Sequence, residues 1–250
     1  MGVRQGVGGT GLTGRLRGML LAVCITTAGA VVALPQAGSA GPSRTFLDYH
    51  ASVHNGSVTG SAFAVAEGIA VTNAHVVRGR APGATVQLVS SAPNGTSVVG
   101  RILAVSSRMD VAVLRIPAGF LPVVSGLSDT PVSGARVVAA GIDAAGGRSA
   151  GTRLTIAGQV VTPRIDVAQF GPGLIAQIPG VRPGFSGGPV LDGQGRLVGM
   201  LAAIRGGSVP AQSASGFAPR SAPRVRAEEA YVLRGADLGA EIRRLLGTLR

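Results

Sequence analysis

The sequence has 250 residues, of which 46% are hydrophobic and only 3% aromatic, and its formal net charge is +12. A chain of this length and polarity can bury the core of one domain or two small ones. The single cysteine, Cys24, excludes an internal disulfide, and the absence of tryptophan leaves the core to valine, leucine, isoleucine and alanine.

The basic residues are all arginines, and they are scattered along the chain. Their tightest group, Arg220, Arg224 and Arg226, contains no aromatic residue on which a base could stack. The composition therefore argues against a nucleic-acid-binding protein. A loose association with anionic surfaces of the cell envelope stays open as a prediction.

Residues 1–40 have the features of a secretory signal peptide. Arg4, Arg15 and Arg17 form a basic start, residues 19–34 are mostly apolar, and small residues at 38–40 suit a cleavage site. Removal of this segment would leave residues 41–250 without a cysteine and with a net charge of +9, because three arginines and no acid would be lost. We predict an exported bacterial protein, periplasmic or secreted.

Short apolar runs broken by Gly, Asn, Pro and Ser follow from residue 45 onward, and this pattern indicates an all-β barrel or sandwich. A connector at 120–129 separates a first β unit, about 44–118, from a second, about 131–235. Residues 192–195 are typical of a hairpin turn, and residues 206–227 of a long exposed loop. The predicted strands are 60–66, 69–72, 85–89, 97–105, 111–116, 135–141, 153–161, 174–178, 189–191, 196–204 and 230–233.

The last segment, about 236–249, predicts a helix. Leu238, Ile242 and Leu245 share one face at helical spacing. Asp237 lies near the start, and Arg243 and Arg244 lie near the end, where each charge complements the helix dipole.

Residues 183–190, Pro-Gly-Phe-Ser-Gly-Gly-Pro-Val, place Ser186 between glycines. Such a turn leaves a hydroxyl uncovered and allows another chain to approach closely, which suits a nucleophile. The alternative is a Gly/Pro loop with an incidental serine. A histidine and a carboxylate are needed to decide between the two.

Three histidines occur, and His75 directly follows a predicted strand in an apolar setting. His50 and His54 stand four residues apart, but neither a third ligand nor the usual glutamate lies near, so no metal site is predicted. Asp110 opens the apolar run 110–116, where a buried carboxylate needs a partner. A surface aspartate in a turn after Arg108 is the alternative.

Together, Gly60–Phe63, Thr72–Val77, Asp110–Leu114 and Gly184–Pro189 resemble the chymotrypsin-like serine proteases, closest to the bacterial branch of the HtrA/Deg proteases. The resemblance covers about residues 44–249. It implies two six-stranded antiparallel β-barrels with the active site in the cleft between them. No segment for a PDZ domain follows the helix in this sequence, so the peptide-binding regulation and the trimer of HtrA/Deg enzymes are not carried over.

The resemblance also implies roles for individual residues. Ser186 would be the nucleophile, His75 the general base and Asp110 the residue that orients the imidazole. The backbone N–H groups of Gly184 and Ser186 would form the oxyanion hole. The implied activity is that of a serine endopeptidase acting on polypeptides without a metal or organic cofactor.

Two positions depart from the digestive trypsin-like enzymes. Phe185 stands where those enzymes carry an aspartate that pairs with a newly cut N-terminus, so that activation is not expected. Gly180 stands where they carry an aspartate that binds basic side chains. The pocket walls are expected from Ala202, Ala203 and Ile204, which favours small or medium apolar side chains. Glu229 (or Glu228) is the rival feature, because a carboxylate there would favour basic side chains.

A catalytically silent protease-fold protein that binds without cutting is the main functional alternative. Inactive relatives normally lose a member of the triad, whereas this sequence has all three residues and both glycines after the serine. We therefore predict an active enzyme.

Overall fold

The computed structural model describes residues 45–92, 95–128, 131–144, 151–205 and 229–248. The predicted signal peptide and the predicted loop at 206–227 lie outside these residues. Within them, the structure consists of two closed six-stranded antiparallel barrels and one C-terminal helix, which confirms the predicted fold class.

The six strands of the first barrel, numbered along the chain, pair in the order first, second, third, sixth, fifth and fourth, and the fourth in turn pairs with the first. A 3₁₀ turn at Ala74–Val77 follows its third strand directly. The six strands are β1 (Ala51–Asn55), β2 (Val58–Ala66), β3 (Ile69–Thr72), β4 (Thr85–Ser90), β5 (Ser97–Val105) and β6 (Ala112–Arg115).

The six strands of the second barrel pair in the same cyclic order as those of the first. The predicted hairpin at 192–195 joins two of its strands, and Asp192 accepts the backbone N–H groups of Gln194 and Arg196 there, each at 2.9 Å. The six strands are β7 (Arg136–Asp143), β8 (Thr152–Val167), β9 (Gly171–Gln177), β10 (Pro189–Leu191), β11 (Leu197–Arg205) and β12 (Glu229–Arg234).

Two strands differ most from the sequence prediction. The first, β1, lies outside the predicted strands, because its five residues include only two apolar ones, Ala51 and Val53. The other, β8, is 16 residues long and continues through Pro163, beyond residue 161 where the predicted strand ends. The pairing of β8 with β9 shifts register on both sides of Thr162, and such bulges accommodate a proline within a strand.

Small and branched apolar side chains fill the core, as the composition predicts. Each barrel has its own interior cluster, and a third cluster joins the barrels to the helix. Phe63 and Phe185 are among the largest fully buried side chains. The third cluster contains residues from both barrels, so a continuous apolar core packs the two barrels together.

The helix α1 (Gly235–Gly247) starts one residue before the predicted bounds and ends two residues before them. Leu238, Ile242 and Leu245 are buried on one face, as predicted. None of the helices among the described residues is both long and apolar enough to cross a bilayer.

Glu241 ties this helix to the first barrel. Its carboxylate accepts hydrogen bonds from the Ser106 hydroxyl and from the Arg244 guanidinium, with the Nη2–Oε1 pair at 2.6 Å. The hydrogen bonds from Arg244, followed by the one from Ser106, hold the pKa of Glu241 below its ordinary value of 4.5, although burial opposes them. The ionised carboxylate therefore stabilises the fold.

We expect Glu241→Gln to lower the free energy of unfolding at pH 7 by about 1–2 kcal/mol, because hydrogen bonds to a charged group are lost. Because the pKa of Glu241 is lower in the folded protein than in the unfolded chain, its ionisation stabilises the fold most above the unfolded pKa of about 4.5. The difference in free energy of unfolding between wild type and Glu241→Gln should therefore shrink as pH falls below that value. Urea unfolding at a series of pH values measures this. Arg243→Gln on the exposed side of the same helix is the control, and a Glu241→Gln deficit that does not shrink as pH falls below 4.5 would contradict the assignment.

Candidate active site

A type II turn carries the candidate oxyanion donor. Pro183 and Gly184 occupy its central positions, the Phe185 N–H donates to the Arg182 carbonyl at 3.2 Å, and Gly184 has φ +106°. A Cβ at position 184 would overlap the carbonyl oxygen of Ile142, so glycine is needed both for φ and for space. The Ala144 N–H donates to the Pro183 carbonyl at 3.2 Å and holds the turn from outside.

The turn around Ser186, residues 182–188 (the serine turn), lies directly against the first barrel. The Ser61 N–H donates to the Ser186 carbonyl at 2.7 Å. A Cβ at Gly187 would overlap the carbonyl oxygen of Ser61, which explains the close approach that the glycine-rich sequence predicts. Phe185 points the other way and is fully buried against Gly141. An apolar side chain is therefore buried at the position where the digestive trypsin-like enzymes carry an activating aspartate.

His75 and Asp110 form a close pair. The His75 Nδ1 lies 2.7 Å from Asp110 Oδ2, and the His75 backbone N–H donates to Asp110 Oδ1 at 2.9 Å. The Asp110 side chain is 7% exposed and that of His75 32% exposed, so the carboxylate is shielded while the ring reaches the cleft. Asn73 fixes the backbone from the other side by donating to the Asp110 carbonyl at 2.8 Å. With Nδ1 bonded to the carboxylate, Nε2 can accept a proton.

The structure brings the serine turn next to the segment that carries the histidine. A Cβ at Gly187 would meet the Thr72 hydroxyl at 2.5 Å and the Asn73 nitrogen at 3.1 Å, three and two residues before His75. The hydrogen bonds among the described residues do not include one between Ser186 Oγ and His75. Catalytic hydrogen bonds are often long before substrate binds.

Two backbone N–H groups stand out in the serine turn. Phe185, Gly187 and Gly188 each donate a backbone hydrogen bond, to the carbonyls of Arg182, Leu201 and Phe185 respectively. The structure gives no backbone acceptor within the described part of the chain for the N–H of Gly184 or Ser186. These are the two donors that the resemblance to the chymotrypsin-like serine proteases implies for an oxyanion hole.

A cleft of about 650 Å³ contains His75 and Asp110. Its walls include Gln169 and Phe170 from the turn between β8 and β9, and Ala202 and Ala203 from β11. Two small side chains on one wall leave room for a substrate side chain. Sequence reasoning did not find the Gln169–Phe170 wall, because only the barrel closure brings that turn to the histidine.

The other predicted pocket residues lie elsewhere. Gly180 lies in an exposed turn, where its carbonyl accepts a hydrogen bond from Arg182 Nε at 3.0 Å. Ile204 and Glu229 belong to the β11–β12 pair, and the residues that line the cleft do not include them. The described structure thus brings together Ala202 and Ala203 with the His75–Asp110 pair, but not all five predicted residues.

His50 and His54 make separate hydrogen bonds. His50 contacts the hydroxyls of Ser61 and Ser91, and His54 contacts those of Ser52 and Thr59. Burial, with repulsion by Arg153 as a smaller cause, lowers the pKa of both rings. Within the part of the chain that the structure describes, no group of three or more His, Cys, Asp or Glu side chains is arranged to hold a metal.

The sequence and the fold both have known relatives. HhoB of Synechocystis sp., named as a serine protease, is 30% identical over 194 residues, which cover 70% of this chain and 42% of HhoB. The chain thus spans less than half the length of that curated relative. An inactive form of Rv3671c from M. tuberculosis H37Rv has a TM-score of 0.60 at 19% identity, covering 81% of this chain and 89% of its own. The HtrA-type protease AlgW, solved with a tripeptide, has a TM-score of 0.60 at 18% identity, covering 79% and 60% of the two chains.

The family model of the trypsin-like peptidase domain matches residues 60–200. This range includes His75, Asp110 and Ser186 together with the strands that position them. It covers more than half of the chain, and the two closed barrels agree with it. The chain therefore belongs to the family of the trypsin-like peptidase domain.

Proposed function

We propose that this protein is an exported serine endopeptidase that hydrolyses peptide bonds through an acyl-enzyme on Ser186. The observation that carries the proposal is the pairing of His75 with the shielded carboxylate of Asp110 at 2.7 Å. This pair lies beside the serine turn, in which two backbone N–H groups have no backbone acceptor among the described residues. Family membership supports the same chemistry.

The proposed mechanism follows from these positions. Ser186 Oγ attacks the scissile carbonyl while His75 Nε2 takes its proton, and Asp110 stabilises the imidazolium that forms. The N–H groups of Gly184 and Ser186 donate to the carbonyl oxygen as it becomes negative. His75 then gives the proton to the leaving amine, and a water repeats the sequence to release the acyl group. Apart from that water and the substrate, each step uses side chains and backbone groups of this chain.

Export is proposed from the sequence of residues 1–40, and the environment is periplasmic or extracellular. Polypeptides are the proposed substrates. The solved complex of AlgW with a tripeptide supports that class, since it shares the fold that forms the cleft.

A peptide library treated with the purified protein tests the proposal. Wild type should cleave internal peptide bonds, and Ser186→Ala and His75→Ala should not. Absence of cleavage by wild type over a range of pH and temperature would overturn it. Cleavage that survives both substitutions would also overturn it, by pointing to another group.

The same library tests side-chain preference. We expect preference for small or medium apolar residues before the scissile bond, because Ala202 and Ala203 form one wall of the cleft. Ala203→Leu should lower cleavage after the larger of these residues roughly 10-fold, since pocket changes of this size are worth that much. Glu229→Ala should leave the profile unchanged. A basic preference in wild type that Glu229→Ala removes would instead identify Glu229 as the specificity residue.

A further inference from the structure

His50 is fully buried and plays no part in the proposed proton transfers. Both of its ring nitrogens are bonded. Nδ1 lies 2.6 Å from Ser91 Oγ, and Nε2 lies 2.7 Å from Ser61 Oγ. A buried imidazole with two short hydrogen bonds has a fixed orientation. Ser61 connects this ring to the serine turn.

The directions of these hydrogen bonds follow from their partners. The Ser61 hydroxyl donates to the Gly184 carbonyl at 2.7 Å, and its single hydrogen is thereby used. Ser61 Oγ must then accept from His50, which places the proton on Nε2. The other nitrogen, Nδ1, consequently accepts from the Ser91 hydroxyl. Burial lowers the pKa of His50 to about 3, so the ring is neutral in the conditions where the enzyme would act.

Ser61 holds the serine turn at two points. Its hydroxyl binds the Gly184 carbonyl, and its backbone N–H binds the Ser186 carbonyl at 2.7 Å. The Phe185–Ser186 peptide, which carries the Ser186 N–H, lies between these two anchored carbonyls. The Pro183–Gly184 peptide, which carries the Gly184 N–H, adjoins the first of them. The orientation of both candidate oxyanion donors thus depends on Ser61.

We propose that His50 is a positioning residue of the oxyanion hole, acting through Ser61. This inference rests on the proposed function of Gly184 and Ser186 as oxyanion donors. The Nε2–H of His50 holds the Ser61 hydroxyl in the one rotamer that donates to the Gly184 carbonyl. Without that donor the hydroxyl can rotate, the Gly184 carbonyl loses its partner, and the peptides on either side become free to turn.

Nitrogen-15 NMR of the imidazole rings tests the hydrogen-bond chain without reference to activity. His50 should show the neutral Nε2–H form at pH 5 to 8, whatever the state of the catalytic residues. A neutral Nδ1–H form, or a ring that titrates in this range, would overturn the inference.

Two substitutions then test positioning against simple packing. His50→Leu keeps a side chain of similar size but removes the donor, and Ser61→Ala removes the hydroxyl. Each should lower kcat roughly 10- to 100-fold with KM little changed, because the donors act on the transition state. His50→Gln, whose amide can donate in place of Nε2, should recover most of kcat.

His54→Leu is the matched control. His54 lies on β1 near His50 and also bonds to serine and threonine hydroxyls, but it does not contact the turn. It should leave kcat unchanged. In His50→Leu, the backbone amide signals of Gly184 and Ser186 should shift, and in His54→Leu they should not.

The outcomes separate the inference from the proposed function. Wild type that cleaves no peptide, with the amide shifts still confined to His50→Leu, would refute the proposed activity and leave the positioning role intact. A folded His50→Leu protein that keeps the wild-type kcat and the wild-type amide signals would refute the positioning role. So would a loss that falls entirely on KM.

Discussion

Replacing Ser186 with alanine is expected to lower kcat for peptide hydrolysis by about a millionfold, because the acyl-enzyme route is lost entirely. The remaining groups should still accelerate hydrolysis over water by about a thousandfold, through substrate binding and the oxyanion donors. The fold should be unaffected, because the substitution removes one oxygen from a half-buried side chain. Single-turnover assays with a cleaved library peptide measure the loss.

Ser133→Ala is the control for this substitution. Ser133 also lies in the second half of the chain, and its exposed hydroxyl donates to the Val161 carbonyl at 3.1 Å, away from the cleft. It should keep the wild-type rate. A Ser186→Ala protein within about tenfold of wild type would mean that another nucleophile or a direct water attack carries the reaction.

Asp110→Asn is expected to lower kcat about ten-thousandfold while leaving the fold intact. Asparagine has the same shape, so one oxygen can still accept the His75 backbone N–H. Its amide would then present hydrogens to His75 Nδ1, which forces the ring proton onto Nε2. A ring protonated on Nε2 cannot take the proton of Ser186. The pH dependence of kcat and the thermal midpoint together distinguish this effect from unfolding.

Asp166→Asn, on β8, is the matched control for charge and size, since Asp166 is not among the residues that line the cleft. It should keep kcat within about twofold of wild type, as surface substitutions usually have small effects. A ten-thousandfold loss there, or none at Asp110, would contradict the assigned role of the carboxylate.

The parts of the site that the sequence predicts are those with local signatures. The glycines around Ser186 predict the close approach, and the structure shows that a Cβ at Gly184 or Gly187 would overlap a neighbouring carbonyl. Asp110 at the start of an apolar run predicts a buried partner, and His75 lies 2.7 Å away. In each case the residue type conflicts with its local setting, and the conflict points to function.

The parts that the sequence does not predict depend on contacts between distant segments. His50 meets Ser91 and Ser61, 41 and 11 residues away, and Ser61 meets Gly184, 123 residues away. No local pattern records these contacts, because the closure of both barrels creates them. The same holds for the Gln169–Phe170 wall of the cleft, and for Gly180, which the resemblance places near a pocket but which lies in an exposed turn.

The central claim is that Ser186 is an activated nucleophile. A fluorophosphonate probe tests it most directly, because the probe phosphonylates a serine only when a base and an oxyanion hole assist the attack. Mass spectrometry of the digested wild-type protein should find one adduct, on the peptide that contains Ser186, and His75→Ala should prevent it. An adduct on another residue, or no adduct over a range of pH and temperature, would contradict the account.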